Sequence, residues 1–93
     1  MAQEVATKSI TAENTFCDAV PLGAGFNASI SGTFVATVTL QRSFDDGAAW
    51  VDVKSYTGPA EEVGNEPEAS VLYRLGVKTG DFTSGTALVR LSR

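Results

Sequence analysis

The sequence predicts an all-β fold, a small antiparallel β-sandwich or jelly roll of six to eight short strands. Three observations carry that expectation. Apolar residues recur at every second position in several stretches, as a strand with one buried face requires. No stretch longer than a turn or two keeps apolar residues at i, i+3, i+4 and i+7, so no long helix is expected. Breaks rich in Gly, Pro and Asp follow one another at close spacing, the rhythm of a sandwich or small barrel.

Along the chain, residues 5–10 and 16–22 can each supply a short strand. Phe26, Ala28 and Ile30 then alternate with Asn27, Ser29 and Ser31 up to a break at Gly32. Phe34, Ala36, Val38 and Leu40 face one way, and Thr37, Thr39 and Gln41 the other. After a turn at Asp45-Asp46-Gly47, residues 50–56 form a strand with Val51 and Val53 on one face and Trp50, Asp52, Lys54 and Tyr56 on the other. Gly58-Pro59 ends it. Residues 60–70 hold Glu61, Glu62, Glu66 and Glu68 with Gly64 and Pro67, and this acidic, punctuated stretch reads as an exposed loop. Val71, Tyr73, Leu75 and Val77 alternate with Leu72, Arg74 and Lys78 in the next strand. Thr79-Gly80-Asp81 and Ser84-Gly85 bracket a turn around Phe82, and Ala87, Val89 and Leu91 mark the last strand. Residues 16–93 thus read as a single β-sandwich domain. Residues 1–15, weakly apolar, read as an N-terminal arm or edge strand, with Val5 and Ile10 as candidate partner contacts.

Ninety-three residues suit one domain with a thin core. A net charge of −4 speaks against nucleic acid as the partner, since phosphate binding needs clustered Lys and Arg. The chain has no histidine, which removes the commonest general base and the commonest metal ligand. Its single cysteine, Cys17, cannot form an internal disulfide or a thiolate zinc site and reads as a small core residue. The polar N-terminus predicts no secretory signal, so Asn27-Ala28-Ser29 is not expected to be glycosylated, and synthesis in a cytoplasm is expected. No apolar run approaches the length needed to span a bilayer, so no membrane role is expected.

One local motif is sharp. Ser43-Phe44-Asp45-Asp46-Gly47-Ala48-Ala49-Trp50 fits S-x-D-x-G-x-x-W and resembles the Asp box known from sialidases and many unrelated β proteins. Its logic is that of a hairpin: Asp45 accepts backbone N–H groups, Gly47 takes a left-handed conformation, and Trp50 covers the loop. A structural role for Ser43, Asp45, Gly47 and Trp50 follows. A sialidase does not, because its propeller needs a far longer chain.

Other constellations fall short of chemistry. The paired glutamates 61/62 and 66/68 crowd one stretch, whereas glycosidase carboxylates flank a cleft. Asp45, Asp46 and Asp52 lack the spacing of a calcium loop. The hydroxyls have no base to activate them, and Gly23-Ala24-Gly25 precedes a strand, so no phosphate cradle is implied. Trp50, Tyr56 and Tyr73 could stack on sugars, but core and hairpin roles suit them better. The reading is a non-enzymatic protein with no catalytic residues, no cofactor and no metal.

A resemblance adds to this reading. It rests on residues 26–33 (Phe-Asn-Ala-Ser-Ile-Ser-Gly-Thr), residues 38–47 (Val-Thr-Leu-Gln-Arg-Ser-Phe-Asp-Asp-Gly) with Trp50, residues 73–80 (Tyr-Arg-Leu-Gly-Val-Lys-Thr-Gly) and the closing residues 85–91. In these blocks the chain resembles small structural proteins of tailed bacteriophages, of the capsid decoration or cementing type. The resemblance implies a virion protein on the capsid exterior, bound to the major capsid protein, and the exposed edges and thin core of so short a sandwich add the expectation of a homo-dimer or homo-trimer. A carbohydrate-binding or tail/receptor-binding β-sandwich module is the alternative.

Overall fold

The structure, a computed structural model, describes residues 5–93, with all their side chains but those of 69 and 70. Residues 1–4 of the expected arm lie outside the described residues. Among these the chain is all-β, with five strands and no helix: β1 (Val5–Ile10), β2 (Thr15–Phe16), β3 (Val20–Ser43), β4 (Val51–Tyr56) and β5 (Ala60–Ser92). Every pairing between them is antiparallel.

The short strands expected from the alternation are joined into long ones. β3 runs for 24 residues and β5 for 33, each as one strand that bends through left-handed residues, Ala24 and Gly32 in β3 and Gly80 and Gly85 in β5. Each passes through two ladders. In the first, β1 pairs with residues 87–92, residues 82–92 pair with 27–36, and residues 24–30 pair on their other side with 60–66. In the second, β2 and residues 20–22 pair with 71–77, residues 72–77 pair with 38–43, and residues 38–42 pair with β4. Register shifts at Leu22/Ala24 and from Val35 to Val38 mark where β3 changes ladder.

Gly32, expected to end a strand, lies within β3 opposite Ala87. Its φ is +96°, and a Cβ there would stand 2.5 Å from the Thr86 carbonyl oxygen. A residue without a side chain lets the strand bend and continue where a bulkier one would stop it.

The alternating apolar residues meet in one core. Ile10, Leu22, Ile30, Val38, Leu75, Val77 and Leu91 are among its most deeply buried members, and Cys17 joins them. Burial pushes the Cys17 thiol up, as expected for an inert core cysteine.

Three expectations require correction. Ile10 is not a partner contact: it is 0% exposed, packed in the core beside Ala6, while Val5 alone stays open at 43%. The reason is that β1 pairs along its whole length with residues 87–92, which turns Ala6 and Ile10 inward. Residues 60–66 are not a loop but a ladder edge, because the backbone of 24–30 offers them a row of partners. Lastly, Trp50, Asp52, Lys54 and Tyr56 do not share one face of β4: Asp52 stands opposite Gln41, whereas Lys54 and Tyr56 stand opposite Leu40 and Val38, on the side where Tyr56 is buried. A bulge explains it: Leu40 faces Lys54 and Gln41 faces Asp52, which leaves Val53 without a register partner.

Truncating Ile10 to Ala should cost about 2–5 kcal/mol of stability, read as a lowered urea midpoint with an unchanged m-value. A cost under about 0.5 kcal/mol would mean that β1 does not belong to the core.

Candidate functional site

The hairpin between β3 and β4 builds one side of the site. The Ser43 hydroxyl donates to Asp45 Oδ1 (2.7 Å) and accepts the Gly47 N–H (2.8 Å), while the Ala49 N–H donates to Asp45 Oδ1 (2.9 Å). The Ser43 hydroxyl and then the Ala49 amide hold the Asp45 carboxyl below its ordinary value. Gly47 sits at φ +91° with the Trp50 ring 3.8 Å from where its Cβ would be. The loop thereby fixes Trp50 at the head of β4, on the solvent side of the second ladder.

There Trp50 meets a polar row that crosses three strands. Asp52 of β4 stands opposite Gln41 of β3, and Gln41 opposite Arg74 of β5. The Gln41 amide nitrogen donates to Asp52 Oδ1 (2.8 Å), and its oxygen accepts from Arg74 Nε (2.8 Å). Lys78 Nζ donates to Asp52 Oδ2 at 2.7 Å. The Lys78 ammonium and the Gln41 amide together pull the Asp52 carboxyl below its usual range, and Asp52 in turn raises Lys78. The Arg74 guanidinium carbon lies 4.3 Å from the Trp50 ring centre and 4.0 Å from that of Phe16 in β2. Gln41 is buried beneath this assembly. The result is a surface on which two aromatic rings, a guanidinium and a carboxylate are locked in place by each other. Such an arrangement suits recognition of a second surface, since its groups are ordered before contact.

A second polar cluster is buried. Glu66 is 2% exposed and receives the Tyr73 hydroxyl (2.5 Å) and Arg42 Nη1 (3.0 Å) on Oε1, and the Glu68 N–H (3.0 Å) on Oε2. Burial pushes its carboxyl up, but these hydrogen bonds outweigh burial and hold it below the ordinary glutamate value. Tyr73 also packs on Phe26, ring centres 4.8 Å apart. Beside this cluster a cleft of about 200 Å³ opens between β4 and residues 62–65, lined by Phe26, Val53, Tyr56 and Val63 and bridged by Lys54–Glu62 (2.6 Å).

The sequence singled out Ser43, Asp45, Gly47 and Trp50, and the structure brings these four together in the hairpin. Asp45 and Asp52 do not converge: one is tied into the loop, the other onto Lys78. Among the described residues no group of three or more His, Cys, Asp or Glu could hold a metal ion. Tyr56 and Tyr73 are buried, unavailable as sugar platforms. Phe16, Gln41, Arg74 and Lys78 were not singled out, because they converge only through pairing of β2, β3 and β5. The one available signal was the polar face of alternation that Gln41 and Arg74 share. Comparison with protein-family models, curated proteins and solved structures finds no match to this chain.

The buried cluster makes a pH prediction. Glu66 has a lowered pKa in the fold, so the stability it confers is fully present above its ordinary value of 4.5 and is lost as pH falls through the lowered folded value. Urea titrations taken downward from about pH 7 should show this loss, and Glu66→Gln should abolish that part of it while costing about 3 kcal/mol at neutral pH. A Gln variant as stable as the parent chain would show that the cluster is dispensable.

Proposed function

We propose that the protein is a non-enzymatic structural protein of a bacteriophage virion, which binds and stabilises the capsid exterior. The observation that carries this reading is the order of pairing. Strand segments 5–10, 82–92, 24–36 and 60–66 lie side by side, as do 15–22, 71–77, 38–43 and 51–56, and two long strands run through both sets. We read this as the jelly-roll order, a layout that serves viral capsid domains. It supports the same class of protein that the phage-like blocks of sequence imply.

The surface is consistent with permanent contact to another protein. Val63 is 80% exposed, and Leu88 stands on the same outer face of the first ladder. The second ladder presents the Phe16–Arg74–Trp50 surface. Two of the free edges are less inviting: Lys8 stands opposite the core residue Val89 at the exposed edge of β1, and β4 carries a bulge, both devices that discourage edge-to-edge pairing. Attachment to the major capsid protein, and self-association as a dimer or trimer, are therefore placed on faces rather than edges in this reading. The net charge of −4 suits the outside of a DNA-filled head.

The test is co-sedimentation with phage heads that lack this protein. Saturable binding at a copy number matching the lattice symmetry, with heads made more resistant to heat, is the expected result. Binding at a few copies would place the protein at a vertex or tail. Absence of binding would overturn the reading and put the carbohydrate-binding alternative first, to be checked by the response of Trp50 fluorescence to glycans.

A further inference from the structure

We infer that Arg74 is a docking point for a carboxylate side chain, Asp or Glu, on the partner protein. The inference rests on the reading above, that this chain binds another protein, and it names the chemistry by which the outer face of the second ladder does so.

Arg74 is held on three sides. Two aromatic rings, Phe16 and Trp50, lie 4.0 and 4.3 Å from its guanidinium carbon. Nε is committed to Gln41 Oε1 at 2.8 Å, and Gln41 is itself anchored by Asp52. The plane of the guanidinium is therefore set, and most of the side-chain entropy that docking would remove is already lost on folding. Among the described residues, however, Nη1 and Nη2 of Arg74 donate no hydrogen bond, and no carboxylate forms an ion pair with it. The contrast with Arg42 is direct, since Arg42 spends Nη1 on Glu66. The nearest acid in the row, Asp52, is matched by Lys78.

What remains is a half-buried cation with an oriented, unused pair of terminal nitrogens. A planar two-oxygen anion is the ligand that such a fork accepts, through two parallel N–H···O bonds. Burial lowers the basicity of Arg74, so the bound anion also compensates a cation that has lost part of its hydration. A phosphate could use the same fork. The chain's charge of −4 repels a polyanion while leaving a single carboxylate on a protein surface acceptable, which favours the latter.

Two measurements on the full chain separate this inference from the one it rests on. In the first, the side-chain Nε–H signal of Arg74 and the indole N–H signal of Trp50 are followed by NMR while sodium acetate replaces sodium chloride at constant ionic strength. A saturable shift of both is expected in the parent chain and its loss in Arg74→Lys, which keeps the charge but not the fork. No shift in the parent chain overturns the inference, and that result needs no variant to fold. A parallel titration with inorganic phosphate that shifts these signals where acetate does not would also overturn it. In the second, Arg74→Lys, checked for an unchanged urea midpoint, is added to protein-free heads. Binding weakened by at least about tenfold is expected. Binding equal to the parent chain overturns the inference and leaves the virion reading intact. Failure of the parent chain to bind heads, with acetate shifts present, overturns the virion reading alone.

Discussion

Antiparallel pairing between β3 and β5 is the constraint on which the rest of the molecule depends. Residues 20–43 and 60–92 supply the centre of both ladders, and β1, β2 and β4 only extend them outward. The pairing satisfies the backbone of two long strands at once. It also sets the faces: once Ile30 stands opposite Val89 and Leu40 opposite Leu75, a slip of one residue would turn the whole apolar set to solvent. The partners are far apart in sequence, so the chain must close long loops before these contacts stabilise it, and slow folding is the expected consequence.

Charge is distributed so as to protect that pairing. The chain has seven basic residues against eleven acidic ones. Arg42, Lys54 and Lys78 each meet a carboxylate, on Glu66, Glu62 and Asp52. The first of these pairs is the one that matters for the fold, because Glu66 is buried at the junction where β5 leaves the first ladder for the second. The other two are exposed and contribute little on their own. Arg74 is used differently, against aromatic rings, and that difference is what makes its face a candidate for recognition.

Much of the fold was legible in the amino acids. Alternation at Phe26–Ala28–Ile30, at Val71–Tyr73–Leu75–Val77 and at Ala87–Val89–Leu91 indicated both strands and their buried faces, since a period of two admits one core-facing set. The S-x-D-x-G-x-x-W turn was equally readable because its hydrogen bonds are local, closing within the seven residues from Ser43 to Ala49. Residues 60–66 were misread because composition reports solvation and not pairing. Four glutamates within eight residues look like a loop until Glu61 is seen to face Ser29, Glu62 Lys54 and Glu66 Tyr73. Ile10 was misplaced for a similar reason: six residues of modest hydropathy do not reveal that a ladder edge is waiting for them.

The sequence by itself determined that this chain would be built of strands, which side chains along most of them would be apolar and inward, and where one hairpin would turn. Those properties depend on neighbours one to seven residues away. The tertiary structure alone decided how strands 20–43 and 60–92 would share two ladders, that a carboxylate at position 66 would be buried and satisfied, and that Phe16, Gln41, Trp50, Arg74 and Lys78 would converge. Such convergence is set by register between segments tens of residues apart, and register is a property of the paired backbones that no single stretch of side chains encodes.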